Sequence, residues 1–121
     1  MSKTILVLGD IHFPFANTSS LRRAVEVAKE KKPSFIIQIG DLRDFLQFGR
    51  WPHSRNGLTP KKELDLGSKM AYQMWENLRK ASPKAKCFQL MGNHDERPIK
   101  KILDQAPELE SLINLKDLYS F

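Results

Sequence analysis

The sequence predicts an α/β protein of βαβαβ order with parallel strands. Three observations carry that expectation. Three short runs rich in Ile, Val, Leu and Phe, at Thr4 to Leu8, Phe35 to Ile39 and Cys87 to Met91, are closed by Gly9, Gly40 and Gly92 and read as buried strands. The stretches between them carry apolar residues at helical spacing, and each is long enough for a helical crossover between parallel strands.

The first crossover places Leu21, Ala24, Val25 and Ala28 on one stripe behind the capping candidates Asn17, Thr18 and Ser19, and Pro33 stops the pattern. The second places Ala71, Met74, Trp75 and Leu78 on one face of a helix from about Pro60 to Ala81, ended before Pro83. After the third strand, Pro98 to Gln105 and Pro107 to about Tyr119 read as a C-terminal helical segment over 98–119, with Leu109, Leu112 and Ile113 as its stripe. The stretch from Phe45 to Thr59 holds two glycines, a proline and no clear period, which predicts a long loop insertion or short irregular helix over 45–59, at the sheet edge.

With 121 residues and 40% hydrophobic content, the chain has the size and apolar share of a single domain, 1–121. No apolar run approaches the roughly 20 residues needed to cross a bilayer, and no signal peptide is evident, so a soluble, cytoplasmic protein without membrane partners is expected. The lone Cys87 sits in an apolar run and reads as a structural thiol. A net charge of +6 favours anionic partners, phosphorylated substrates or nucleic acid, without choosing between them.

In open parallel sheets, ligands bind outside the carboxyl ends of the strands. Each strand here is followed at once by groups of metal-ligand type: Asp10 and His12, then Asp41, then Asn93 and His94. Carboxylate and amide oxygens with imidazole nitrogens suit a divalent first-row metal such as Mn²⁺, Fe, Zn or Ni, and the absence of thiolates argues against a structural zinc site. Gly40 and Gly92 fit sharp turns that aim the ligands inward.

In order and placement, Asp10-Ile11-His12, Gly40-Asp41-Leu42-Arg43-Asp44 and Gly92-Asn93-His94-Asp95 resemble the successive blocks of the calcineurin-like metallophosphoesterases. The wording is nearest to phage and bacterial members. The resemblance implies the N-terminal half of a β-sandwich flanked by helices, and a two-metal centre that hydrolyses a phosphate ester. It implies that Asp10, His12 and Asp41 hold one metal and Asp41 and Asn93 the second. It also implies that His94 protonates the leaving oxygen or stabilises the transition state and that Asp44 orients His94. Arg97, three residues after His94, is a candidate phosphate ligand. Arg50, Trp51, Arg55, Lys61 and Lys62 are candidates for contact with a nucleic-acid backbone.

The chain departs from the family pattern in two places. Asp44-Phe45-Leu46 stands where the protein phosphatases of the family carry Asp-Arg-Gly, which argues against a phosphoprotein substrate. The chain's only histidines are His12, His53 and His94, so the later histidines of the family pattern have no counterpart and the metal shell is incomplete. Three explanations are open: a longer enzyme whose remaining half completes the site, a homo-oligomer that covers the exposed sheet face, or a shortened, catalytically impaired relative that binds a protein or nucleic acid.

Overall fold

The computed structural model describes residues 3–48 and 59–112. Three parallel strands, β1 (Ile5–Leu8), β2 (Phe35–Gln38) and β3 (Lys86–Gln89), form one sheet in the order β1-β2-β3. Ile5, Phe35 and Lys86 stand in register across it. The crossovers are α1 (Thr18–Lys31) and α2 (Pro60–Ala81), and α3 (Arg97–Gln105) follows β3. This is the α/β architecture expected of the N-terminal half of the fold.

The helices begin and end for local reasons. The Asn17 side chain accepts a hydrogen bond from the Ser20 N–H at 3.1 Å, satisfying one of the free donors of the first turn of α1. Lys32 closes the helix in the left-handed region, its N–H donating to the Ala28 carbonyl. The Thr59 hydroxyl accepts from the Lys62 N–H at 3.2 Å, and Pro60 takes the first helical position of α2, where no amide donor is needed. At the far end of α2, the Ser82 hydroxyl donates to the Pro33 carbonyl, tying the helix to the turn that enters β2.

Alternation along the strands sorts the side chains to two faces. Leu6, Leu8, Ile36 and Cys87 meet Leu21, Val25 and Ala28 of α1 and Ala71, Met74, Trp75 and Leu78 of α2, and this single layer is the core. Cys87 is thus a packed side chain, as expected. On the opposite face and at the strand ends, Ile5, Val7, Ile39, Phe88, Leu90 and Met91 are each about half exposed among the described residues.

One expectation needs correction. The segment after Ala106 is a 3-10 turn over Pro107–Leu112, not the start of a regular helix, and Leu109 and Leu112 face solvent instead of forming a packed stripe. The loop predicted over 45–59 opens with a 3-10 turn, Leu46–Phe48, and residues 49–58 lie outside the described part, as does Ile113 with the remainder of the C-terminal segment.

Candidate metal centre

The loops that follow β1 and β2 are sewn together beyond the sheet. The His12 N–H donates to the Asp41 carbonyl at 2.9 Å, the Phe13 N–H to the Leu42 carbonyl at 2.8 Å, and the Asp44 N–H to the Phe13 carbonyl at 2.9 Å. To make these bonds while turning back over the sheet, Asp10, His12 and Asp41 adopt positive φ values of 50°, 57° and 54°. Asp and His enter this left-handed region more readily than most residues, at a cost of about 1–3 kcal/mol each. Backbone strain is therefore concentrated at the residues that carry the candidate ligands.

The third strand end docks by a close approach of two glycines. Gly40 has φ of 119°, and a Cβ there would lie 2.9 Å from the Gly92 Cα. A Cβ on Gly92 would lie 2.5 Å from the Asp41 backbone nitrogen. Both positions favour glycine, Gly40 for its backbone and Gly92 for space. The His94 N–H then donates to Asp41 Oδ1 at 2.9 Å, so the second and third strand ends share one carboxylate.

These turns bring His12, Asp41 and His94 together, with one ligand-type atom from each lying within 4.8 Å of the others. Imidazole and carboxylate ligands take roughly 2.0–2.2 Å to a first-row ion. The donor set, two imidazoles and a carboxylate, fits such a metal. The Asp10 side chain is 83% exposed, with Oδ1 3.9 Å from His12 Nε2, so it flanks the trio. Asn93 is exposed beside it and lines a neighbouring groove. His94, expected to act on the leaving group, is thus also one of the three groups geometrically able to hold an ion.

Asp44 organises both imidazoles. Its Oδ1 lies 3.0 Å from His12 Nδ1 and 3.3 Å from His94 Nδ1, and its backbone carbonyl is 3.1 Å from His94 Nδ1. The two rings meet edge to face, with centroids 4.4 Å apart. Arg97 donates to the Asp44 carbonyl at 3.1 Å, and its other terminal nitrogen lies 3.3 Å from His94 Nε2. Since guanidinium can only donate, His94 Nε2 is the acceptor there and its proton sits on Nδ1, facing Asp44.

Three supporting groups escaped the sequence reading. Asp95 is buried and accepts from the N–H groups of Arg43 and Gly92 at 2.8 Å each and of Leu42 at 3.4 Å, clamping the second loop to the third. Gln38 is buried under the Gly40 turn, bonding both its carbonyl and its N–H, and it is joined through Gln89 to the Trp75 indole at the core. Glu63 of α2 accepts from the N–H groups of Leu46 and Gln47, anchoring the loop that leaves Asp44. Burial is the main force pushing the Glu63 carboxyl above the usual glutamate range, and these backbone donors only partly offset it. The fourth place of Gly-Asn-His-Asp was the one available signal for Asp95. Gln38 and Glu63 have no motif, because their roles depend on partners far away in sequence.

Of the nucleic-acid candidates, Arg50, Trp51 and Arg55 lie outside the described residues. Lys61 and Lys62 are exposed on the first turn of α2, and the Lys61 ammonium pairs with Asp65 at 3.2 Å.

An α/β unit with imidazole and carboxylate groups gathered at adjoining strand ends has the donor set of a candidate metal site. The family model for calcineurin-like phosphoesterase matches residues 3–120, and the chain belongs to that family. The chain is similar to the Gene 54 protein of Mycobacterium phage L5, 25% identical over 114 residues that make up 94% of this chain and 44% of that protein. It is also similar to the Gene 54 protein of Mycobacterium phage D29, 26% identical over 121 residues, 100% of this chain and 46% of that protein. The chain therefore spans less than half the length of these relatives. No solved structure matches it significantly. Among the described residues, no helix is long and apolar enough to cross a membrane.

Proposed function

We propose that this chain carries the metal-binding half of a hydrolase acting on a phosphomonoester or phosphodiester. The observation that carries the reading is the convergence of His12, Asp41 and His94 from three strand ends, inside a chain that belongs to a phosphoesterase family. His12 and Asp41, flanked by Asp10 and Asn93, would hold the divalent metal, with Mn²⁺ the first candidate. A bound divalent metal supplies an activated water and charge neutralisation at the phosphoryl oxygens.

The chain's own residues account for the remaining roles. Asp44 fixes both imidazoles through their Nδ1 atoms, leaving each Nε2 directed away from it. With Nε2 protonated and Arg97 turned away from it, His94 would deliver that proton to the leaving oxygen, the Asp44 carboxylate balancing the charge on the ring. Arg97 already stands beside that nitrogen and turns its planar donors to the substrate phosphate.

A second reading has one specific support. The sheet keeps one apolar face about half exposed among the described residues. Covering that face, by a second copy or by further chain of the kind the longer relatives possess, would complete the core and bring additional ligands. Without such cover the protein would act as a catalytically impaired binding module. Hydrolysis of p-nitrophenyl phosphate and bis-p-nitrophenyl phosphate with Mn²⁺ tests the enzyme reading. Turnover should depend on metal and vanish in Asp41→Asn, whereas equal rates for the two proteins would remove the proposed centre.

A further inference from the structure

A groove of about 780 Å³ opens beside the metal centre, lined by Phe48, Asn93, Arg97, Lys100, Lys101 and Asp104. Arg97, Lys100, Lys101 and Asp104 follow one another at i, i+3, i+4 and i+7 along α3, so they share one face of the helix. That face runs for roughly 10 Å at the rise of an α-helix, further than a single phosphate group reaches. The cations outnumber the acid. Arg97 joins the groove to the centre, since its guanidinium lies against both His94 and the Asp44 carbonyl.

Two further details give the groove its chemistry. Lys100 is paired with Glu96 at 3.3 Å, but both side chains are well exposed, and an ion pair in water is weak enough for the lysine to exchange its partner for a phosphate. Phe48, also in the lining, is half-buried and meets Phe45 edge to face, with ring centroids 5.7 Å apart. Cations in a row in one groove with an aromatic ring are the combination that tracks a sugar-phosphate backbone while stacking a base. A free phosphate or a small monoester would leave most of this length unused.

We propose that the α3 groove binds the backbone of a single-stranded nucleic acid leading into the metal centre. This deepens the phosphoesterase reading by naming a substrate class, and it relies on that reading only for which end of the strand reacts. Lys100 and Lys101 contact backbone phosphates, Asp104 limits affinity by repelling them, and Phe48 offers its face to an unpaired base.

Fluorescence anisotropy with a fluorescein-labelled oligothymidylate of about ten nucleotides, within the usual span of such sites, tests this directly. Lys100→Glu with Lys101→Glu should weaken binding at least about tenfold at low salt. It should also flatten the plot of log affinity against log salt by about 1.4, the expected effect of two lost phosphate contacts on a single strand. Asp104→Asn should tighten binding, a gain that damage to the fold would not produce, and hydrolysis of p-nitrophenyl phosphate should be unchanged in both variants. Native and doubly substituted chains binding the oligonucleotide equally, or the native chain failing to bind it, would overturn the proposal. Salt-sensitive binding without any metal-dependent turnover would support the groove and remove the hydrolase reading, so the two failures are distinguishable.

Discussion

His12 Nδ1 lies 3.0 Å from Asp44 Oδ1, and the same oxygen stands 3.3 Å from His94 Nδ1, so one carboxylate holds the two imidazoles of the centre. Asp44→Asn keeps the shape of the side chain and can keep one oxygen acceptor, but loses the negative charge that both rings face. The supporting partners of metal-bound histidines typically contribute 10–100-fold to affinity or activity. A loss of about that size in Mn²⁺ affinity, measured by titration calorimetry, is expected, with a melting temperature close to native. Unchanged metal affinity would show that Asp44 does not position the ligands.

Asp95 provides a stability test on the same loops. Its carboxylate receives the N–H groups of Leu42, Arg43 and Gly92, and the side chain is buried. Asp95→Ala leaves three backbone donors without this partner, and a buried donor left unsatisfied costs about 1–3 kcal/mol. Water entering the space will recover part of that. A net destabilisation of about 3 kcal/mol is expected from urea unfolding. A change below about 0.5 kcal/mol, the range of an ordinary surface substitution, would contradict the clamp.

The contrast between Asp44 and Asp95 shows which parts of this protein were legible in the sequence. The βαβαβ order, both crossover helices and the cap at Asn17 followed from period and local chemistry, because a helix or a buried strand advertises itself within a dozen residues. The candidate site was readable from topology, since ligand-type residues stood after each strand. What stayed hidden depends on long-range pairing. Nothing local marks Glu63 as the anchor of Leu46 and Gln47, or Gln38 as the support of the Gly40 turn. The drawing of His94 into the ligand trio depends on the glycine contact that brings two strand ends together. The helical period after Pro107 misled because Leu109 and Leu112 find no surface to pack on among the described residues.

Gly92→Ala tests that glycine contact. The added methyl would lie 2.5 Å from the Asp41 backbone nitrogen, which is rigid backbone and cannot swing aside as a flexible side chain could. Asp41 and the Gly92 turn must move apart, which stretches the bond from the His94 N–H to Asp41 Oδ1. The expected outcome is destabilisation of about 1–3 kcal/mol, as for other overpacked sites, together with weakened Mn²⁺ binding. Loss of stability with full metal affinity would mean that the centre tolerates separation of these strand ends.

Glu63 sets a pH dependence whose direction follows from its burial. With its folded pKa above the ordinary glutamate value of about 4.3, the native state holds the Glu63 proton more tightly than the unfolded chain does. Its contribution is therefore fully present below about pH 4.3 and declines as pH rises through the folded value, then stays level. Glu63→Gln removes the titration while keeping one oxygen to accept from Leu46 or Gln47, so it changes stability by a constant amount plus this pH-dependent part. Melting curves of the two proteins from acid to neutral pH should show the native chain losing ground to the variant as pH increases, with a plateau above the Glu63 titration. A native chain that gained on the variant over that range would mean the backbone donors outweigh desolvation, and that Glu63 is held as a carboxylate by its anchoring role.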